Sequence, residues 1–283
     1  MATVTLDPIR YINITTIVNI NATPPPFIGS QLRGALGLAL KQVVCINPSK
    51  QCQGCFASSD CLYYKWYEQR DGYHPYRLAI TLNQKHYDFG LYLFEEACEA
   101  LAYLLAAIER MITALGLGGE RVKGTIASIR TDTKLLYDGR TFTIEGTTPT
   151  LFAPTPESHR YTVIETITPI RLKSDNRLVR AMPSLEAILT SIWHRYNELK
   201  GLPRSKLPFI PQGELRGSSG QFVELSRYSN RQQTKMFLGG VVGRLVYEGV
   251  DENSLMLLRL GEIIGVGKST VFGLGQILVK EEK

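Results

Sequence analysis

The sequence predicts an α+β protein made of two tandem domains that share one order of elements, βαββαβ. Two observations support this prediction. A glycine pattern of the frame G-h-G-x-x-x-V-x-G, in which h is apolar, occurs at residues 116–124 and again at 265–273. Each copy follows a helix-like apolar stretch and leads into a strand-like one, as expected when one structural unit is repeated. The 283 residues suffice for two domains of about 140 residues, each with its own core.

The elements of the first half follow from its hydrophobic periodicity. Residues 3–20 are rich in β-branched side chains and predict a strand, which Pro24, Pro25 and Pro26 end. Residues 27–44 carry apolar side chains at spacings of three and four and predict a helix. The remaining predicted elements are a strand pair at 76–82 and 87–94, a helix at 95–114, a closing strand at 123–130 and an added hairpin at 134–145.

A proline-rich linker at 148–160 predicts a domain boundary, with an N-terminal domain at 1–147 and a C-terminal domain at 161–283. The second half repeats the order of the first, and its helix begins after the capping residue Ser184. Its predicted elements are strands at 161–172, 221–228, 240–247 and 272–279, with helices at 185–201 and 251–264. Both halves therefore match the ferredoxin-like, or RRM-like, unit that RNA-recognition folds use.

Composition and patterning exclude several classes of protein. An apolar content of 44% with 20% charged residues argues against wholesale disorder. The longest apolar candidate is interrupted by Glu99, Glu109 and Arg110, so no stretch reaches membrane-spanning length. No basic segment followed by an apolar core opens the sequence, so no secretion signal is predicted. We therefore expect a cytoplasmic globular protein without a membrane partner.

The positive charge is concentrated in the second half. The formal net charge is +6, and residues 160–240 alone hold 13 Lys and Arg against 6 Asp and Glu. The same stretch includes Arg227, Tyr228 and Arg231. Cations for phosphates beside a ring for stacking are typical of a surface that binds single-stranded nucleic acid, although a solvated basic face is the plainer alternative.

The second glycine copy predicts an anion-binding loop and not a nucleotide-binding P-loop. The P-loop frame requires glycine where this chain has Glu262, and the loop leaves a helix and opens a strand, the reverse of a P-loop. Cationic and hydroxyl side chains stand there among glycines whose backbone lets a phosphate approach closely. The predicted contacts are Gly265, Gly267, Lys268, Ser269, Thr270 and Gly273. The first copy, at 116–124, is predicted to be a plain turn.

Four cysteines cluster in a predicted insertion at 45–65. Cys45, Cys52, Cys55 and Cys61 have the spacing C-x6-C-x2-C-x5-C. In a cytosolic chain such a cluster favours a metal over disulfides, and four thiolates suit a tetrahedral structural zinc. An iron–sulfur cluster and a set of unconnected thiols are the alternatives. Cys98, inside a predicted helix, is expected to be a small core residue.

Taken together, these features resemble one known family. The segments that carry the resemblance are residues 27–37 with the cysteine run, 168–173, 227–232 and 261–275. In order and spacing the chain resembles the CRISPR-associated precursor-crRNA processing endoribonucleases of the RAMP superfamily (repeat-associated mysterious proteins). Within that superfamily it is most similar to the subgroup with a four-cysteine insertion.

The resemblance implies an endoribonuclease that binds CRISPR repeat RNA in precursor crRNA and needs no cofactor for catalysis. In that chemistry the ribose 2′-hydroxyl attacks the adjacent phosphate and leaves a 2′,3′-cyclic phosphate and a 5′-hydroxyl. The reaction requires a base, an acid and cations beside the phosphorane. Family members commonly place a histidine in or near the first helix, and residues 27–44 of this chain contain none.

The remaining groups give the predicted catalytic residues. One face of the first predicted helix carries Arg33 and Lys41 with the small residues Ser30 and Gly37, which would let an RNA backbone approach; a solvated face is the alternative. His159, at the end of the linker, is the predicted catalytic histidine, with a plain surface position as its alternative. The other histidines are expected to be structural or exposed.

Two other functions stay open from the sequence. A non-catalytic RAMP subunit would coat RNA within a CRISPR effector complex, with other effector subunits as partners. A nucleotide-driven switch would instead bind ATP or GTP with magnesium.

Overall fold

The computed structural model describes residues 4–69, 73–153, 160–174, 176–229 and 234–282. The chain forms two compact units: one holds residues 10–150, and the other holds residues from 151 onward together with the described residues up to Ile9. The predicted N-terminal domain at 1–147 included residues 4–9. They join the other unit through the Val4 N–H, which donates to Asn253 Oδ1 (2.9 Å), and the Asp7 N–H, which donates to the Tyr196 hydroxyl (2.9 Å). No described helix is long and apolar enough to cross a membrane.

The unit of residues 10–150 has an antiparallel sheet with two helices. Its elements are β1 (Ile9–Ile20), α1 (Gly29–Val44), β2 (Tyr76–Ala79), β3 (Phe89–Phe94), α2 (Leu101–Arg110), β4 (Gly124–Arg130) and β5 (Leu135–Tyr137), followed by β6 (Thr150–Phe152) where the chain leaves the unit. The strand order is β2-β3-β1-β4-β5. Its first four strands have the ferredoxin-like arrangement, in which β1 and β3 are central and α1 and α2 pack against each other.

The core of this unit follows directly from the periodicities of its sequence. Ile12, Ile14 and Val18 alternate along β1 with more exposed residues and are buried. In register with them, Leu91 of β3 lies opposite Ile14. Two apolar helix faces complete the core: Leu32, Leu36, Ala39 and Leu40 from α1, and Leu101, Leu104, Leu105 and Ile108 from α2.

The second unit repeats the plan with two inserted hairpins. Its elements are β7 (Tyr161–Thr166), β8 (Lys173–Ser174), β9 (Arg177–Leu178), α3 (Leu185–Leu199), β10 (Glu214–Val223), β11 (Ser226–Ser229), β12 (Thr234–Phe237), β13 (Gly240–Glu248), α4 (Glu252–Ile264) and β14 (Ile277–Glu282). The sheet order β10-β13-β7-β14 is the order β2-β3-β1-β4 of the first unit. The hairpins β8–β9 and β11–β12 form separate two-stranded sheets. The predicted α+β fold with tandem βαββαβ units is confirmed.

The glycine repeat has the same backbone geometry in both units. Gly116 ends the helical segment after α2 with φ +74° and ψ 168°, and Gly265 ends α4 with φ +84° and ψ 163°. Two residues on, Gly118 and Gly267 also have positive φ, +78° and +80°. Side chains disfavour this region of φ, so the sequence repeat records a conformational requirement at the end of each second helix.

Three predicted strands of the second unit differ from the structure. The strand predicted at 161–172 ends at Thr166, and the strand predicted at 272–279 starts at Ile277. Residues 221–228 were expected to be continuous, but β10 starts earlier, at Glu214, and the chain breaks from the sheet at residues 224–225 before β11. The Leu238 N–H donates to the Leu225 carbonyl (2.7 Å) and closes β11–β12 as a separate hairpin. A strand-like pattern of side chains does not reveal which partner strand each part will pair with.

The N-cap of α4 gives a test of the second unit. Asp251 accepts hydrogen bonds from the Ser254 N–H (3.1 Å), the Ser254 hydroxyl (2.6 Å) and the Gln212 N–H (2.7 Å). Ser184, the N-cap of α3, accepts only the Ala187 N–H (3.2 Å) at its side chain among the described residues. We expect Asp251→Ala to lower the free energy of unfolding by about 2 kcal/mol and Ser184→Ala by about 1 kcal/mol, measured by urea unfolding. Equal losses for the two variants would contradict this difference between the caps.

Candidate nucleic-acid interface

The glycine loop, residues 265–275, joins α4 to β14 and carries one cationic residue, Lys268. Lys268 is exposed and Ser269 is half-buried, whereas Thr270 is only 3% exposed. Ser269 takes a left-handed conformation, with φ +70°, immediately before a 3-10 turn at Thr270–Phe272. The loop therefore exposes Lys268, leaves Ser269 partly exposed and holds Thr270 inside.

The glycine amides of the loop are already hydrogen-bonded within the protein. The Gly265 N–H donates to Gly261 O (2.9 Å), the Gly267 N–H to Ser191 Oγ (2.8 Å) and the Gly273 N–H to Thr270 O (2.9 Å). The prediction that Gly265, Gly267 and Gly273 offer free amides to a phosphate is therefore not supported. Their role is steric: a Cβ at Gly267 would lie 2.5 Å from the Arg171 carbonyl oxygen.

The chain segment after β7 contacts the loop through its backbone and carries three basic residues. The Lys268 N–H donates to the Arg171 carbonyl (2.8 Å), and residues 171 and 267 form a parallel bridge. Lys173 and Arg177 follow on the β8–β9 hairpin and are exposed. We call Arg171, Lys173, Arg177 and Lys268 the basic rim. In the sequence, residues 168–173 supported only the family resemblance, and Arg171, Lys173 and Arg177 were not predicted to belong to the site.

Arg227 and Tyr228 lie on β11, the other predicted RNA-binding segment. In the backbone register Arg227 is opposite Met236 and Tyr228 is opposite Lys235 on β12. Arg231 lies outside the described residues. A contact between this hairpin and RNA stays a prediction.

The α1 face that was predicted to be catalytic is covered by aromatic rings. The Arg33 guanidinium lies 4.9 Å from the ring centroid of Tyr67, and Lys41 Nζ lies 5.2 Å from that of Tyr63. These two rings stack on each other at 5.3 Å, and the Tyr67 hydroxyl donates to the Arg33 carbonyl (3.3 Å). The open face that the catalytic prediction for Arg33 and Lys41 assumed is therefore occupied by the chain's own residues.

Gly37 makes this cover possible. A Cβ at residue 37 would overlap the ring of Tyr67, which lies directly against the helix backbone. Burial raises the pKa of Tyr67 well above its ordinary value. The small residue that was expected to admit an RNA backbone instead admits a tyrosine side chain from the segment that includes the π-helical turn Tyr64–Glu68.

The histidines do not form a catalytic centre within the described residues. His159 lies outside them. His194 on α3 is held on both ring nitrogens: Arg204 Nη2 donates to Nδ1 (3.1 Å), and Nε2 contacts the Ser205 carbonyl (3.1 Å). Because guanidinium only donates and carbonyl only accepts, His194 is the neutral tautomer with its proton on Nε2. Burial, and then the charge of Arg204, lower its pKa.

The structure does not support the predicted metal site. Cys45, Cys52, Cys55 and Cys61 are all half-buried free thiols, and no group of three or more His, Cys, Asp or Glu in the described part of the chain could hold a metal ion. Local bonds hold the segment instead. The Cys45 thiol contacts the Asn47 carbonyl (3.8 Å), and the Asn47 side-chain amide donates to Gln51 O (2.9 Å). The zinc prediction and its iron–sulfur alternative both lack the cluster of thiols that they require.

Two family models match the two halves of the chain. Residues 164–277 match the family described as CRISPR-associated endoribonuclease Cas6. Residues 7–148, half of the chain, match the family AF_1859_N, described as an N-terminal domain. A curated relative from Archaeoglobus fulgidus, described as an uncharacterized protein, is 27% identical over 271 residues, which cover 89% of this chain and 91% of the relative.

Solved structures share the fold. Thermus thermophilus Cas6 (TTHB231) in a product complex is similar with a TM-score of 0.60 at 16% identity, over 96% of this chain and 99% of that chain. A chain of a partial Cas6-RT-Cas1–Cas2 complex is similar with a TM-score of 0.53 at 12% identity, over 100% of this chain and 47% of that chain. At these identities the likeness establishes the fold.

Two glycines of α1 test the aromatic cover. Gly37→Ala places a methyl group against the Tyr67 ring, and we expect it to lower the free energy of unfolding by about 1–3 kcal/mol. Gly34→Ala, on the same helix, meets no atom within 4 Å and should raise the stability by about 0.5–1 kcal/mol through helix propensity. Thermal and urea unfolding measure both variants. A stabilising Gly37→Ala would show that Tyr67 does not lie on this face.

The His194 interaction predicts a pH dependence. Its pKa is lowered in the folded state relative to about 6.5 in the unfolded chain, so the unfolded state takes up the proton first. The contribution of neutral His194 to the free energy of unfolding is fully present above about pH 6.5. It is lost as the pH falls from there through the pKa of His194 in the folded state. We expect His194→Gln to show a shallower loss of unfolding free energy than the native protein between pH 7 and pH 5. Parallel curves for the two proteins would contradict the assignment.

Proposed function

Because the chain belongs to the AF_1859_N family by its residues 7–148 and matches the CRISPR-associated endoribonuclease Cas6 family by its residues 164–277, we propose that it binds CRISPR repeat RNA and cleaves precursor crRNA. The observation that carries the proposal is the position of the basic rim. In the Cas6-matching half, the backbone of Lys268, on a sterically constrained glycine loop, is bonded to Arg171, and the chain continues from Arg171 to the exposed Lys173 and Arg177 of the β8–β9 hairpin.

The proposed contacts are chiefly to phosphates. Lys268 and the rest of the basic rim would neutralise the RNA backbone, and the Ser269 hydroxyl would donate to a phosphate oxygen. Arg227 and Tyr228 would add a cation and a stacking ring from β11, with Arg231 following them in the sequence. Gly265, Gly267, Gly273 and Thr270 would support the shape of the loop.

The proposed chemistry is internal transesterification without a metal. The 2′-hydroxyl attacks the adjacent phosphate, the P–O5′ bond breaks, and the products are a 2′,3′-cyclic phosphate and a 5′-hydroxyl. Lys41 is half-exposed and would supply charge to the phosphorane after leaving the ring of Tyr63. Arg33, whose guanidinium lies against the Tyr67 ring, would affect catalysis only by fixing the position of α1. His159 remains the proposed catalytic histidine.

The second candidate function is a non-catalytic RNA-binding subunit of a CRISPR effector complex, with other CRISPR subunits as partners. It is favoured by the covered α1 face and by the lack of histidine in α1. Incubation of the purified protein with end-labelled repeat RNA in EDTA separates the two functions. A cyclic-phosphate product means a nuclease, and a gel shift without product means a binding subunit.

Replacement of Lys268 tests the phosphate contact. We expect Lys268→Ala to weaken repeat-RNA binding and to lower the slope of log Kd against log salt by about 0.7–0.9, the loss of one phosphate contact. Lys280→Ala is the matched control, because Lys280 is already paired with Glu165 at 2.6 Å in the same unit. If the salt slope of Lys268→Ala equals that of Lys280→Ala, Lys268 does not contact a phosphate.

A further inference from the structure

The glycine loop is held by α3 at two points. Ser191 Oγ accepts the N–H of Gly267 at 2.8 Å. Arg195 Nε donates to the carbonyl of Ile264, the last residue of α4, at 2.6 Å. Residues four apart share one face of a helix, so a single face of α3 is hydrogen-bonded to the loop at Ile264, where the loop begins, and at Gly267, next to Lys268.

The first glycine copy lacks such an anchor among the bonds of its described residues. Leu117 and Val122 exchange their backbone hydrogen bonds with each other (2.9 Å each), so this turn closes on itself. Gly118 corresponds to Gly267 in the repeat. A Cβ at Gly118 would come no nearer than 3.9 Å to any atom, at the Tyr87 hydroxyl. The outside anchors are therefore a property of the second copy and not of the repeated motif.

The anchors fix the residue that the loop exposes. Lys268 follows Gly267, whose N–H is bonded to Ser191, and its own N–H is bonded to Arg171 O. It precedes Ser269, a non-glycine residue in the left-handed region, which costs conformational energy unless its surroundings hold it. Two consecutive amides tied to two different elements leave little freedom for the Cα of Lys268.

We propose that Ser191 and Arg195 are positioning residues for RNA binding, which hold the glycine loop so that Lys268 meets the phosphate. The inference rests on the proposed function of the loop. Neither side chain needs to touch RNA. Their effect passes through the amide of Gly267 and the carbonyl of Ile264.

Ser191→Ala tests this role by removing one acceptor. We expect repeat-RNA affinity to fall about 3- to 10-fold, as for the loss of one hydrogen bond, with the salt slope unchanged because the number of phosphate contacts is unchanged. Hydrogen exchange of the 265–275 segment should become faster, and only there. Ser191→Thr keeps the hydroxyl and should restore both affinity and exchange. Thr190→Ala, which removes a hydroxyl one position away on α3, is the control.

Three results would overturn the proposal: native affinity and exchange in Ser191→Ala, no rescue by Ser191→Thr, or a salt slope reduced as in Lys268→Ala. The last would mean that Ser191 contacts a phosphate directly. A native protein that binds no repeat RNA would refute the proposed function alone. The exchange of the 265–275 segment would still decide whether Ser191 holds the loop.

Discussion

The reversal of the chain at the end of the second helix of each unit is the constraint on which the rest of the structure depends. The chain must leave that helix and enter the strand that completes the sheet, β4 in one unit and β14 in the other. Gly116 and Gly265 achieve this with nearly the same pair of dihedral angles. A side chain at either position would oppose the turn. Both units meet this requirement at the same position of the repeat.

The same turn geometry lies in different surroundings in the two units. In the first copy, the backbone hydrogen bonds of Leu117 and Val122 are made within the turn itself, so the turn needs no partner element there. In the second copy the Gly267 N–H donates to α3 and the Lys268 N–H donates to Arg171, which lies two residues before the β8–β9 hairpin begins. The two copies therefore differ in the variable residues of the motif, Gly-Glu-Arg at 119–121 against Lys-Ser-Thr at 268–270, and also in the elements that bond to the loop.

This difference explains what the sequence could predict. The repeat, the helices and most strands were found because their signals are local: positive-φ glycines, spacings of three and four, and alternation. The cover of α1 was missed because Gly37 and Tyr67 are thirty positions apart and the spacing of Tyr63 and Tyr67 only indicates one helical face. The metal prediction for the four cysteines failed although its signal is local. Their spacing satisfies a metal site, but bonds around Asn47 fold the segment differently.

The internal hydrogen bonds of the loop amides limit how such a loop could bind RNA. With the amides of Gly265, Gly267 and Gly273 bonded internally, recognition at this loop depends on side-chain charge and one hydroxyl. Contacts of this kind place a phosphate backbone but do not read bases. Discrimination between sequences would therefore require stacking or base-edge groups elsewhere, and Tyr228 on β11 is the aromatic residue predicted for that role. Under the proposed function, the glycine loop would place the phosphate backbone of the RNA and the hairpin would contact its bases.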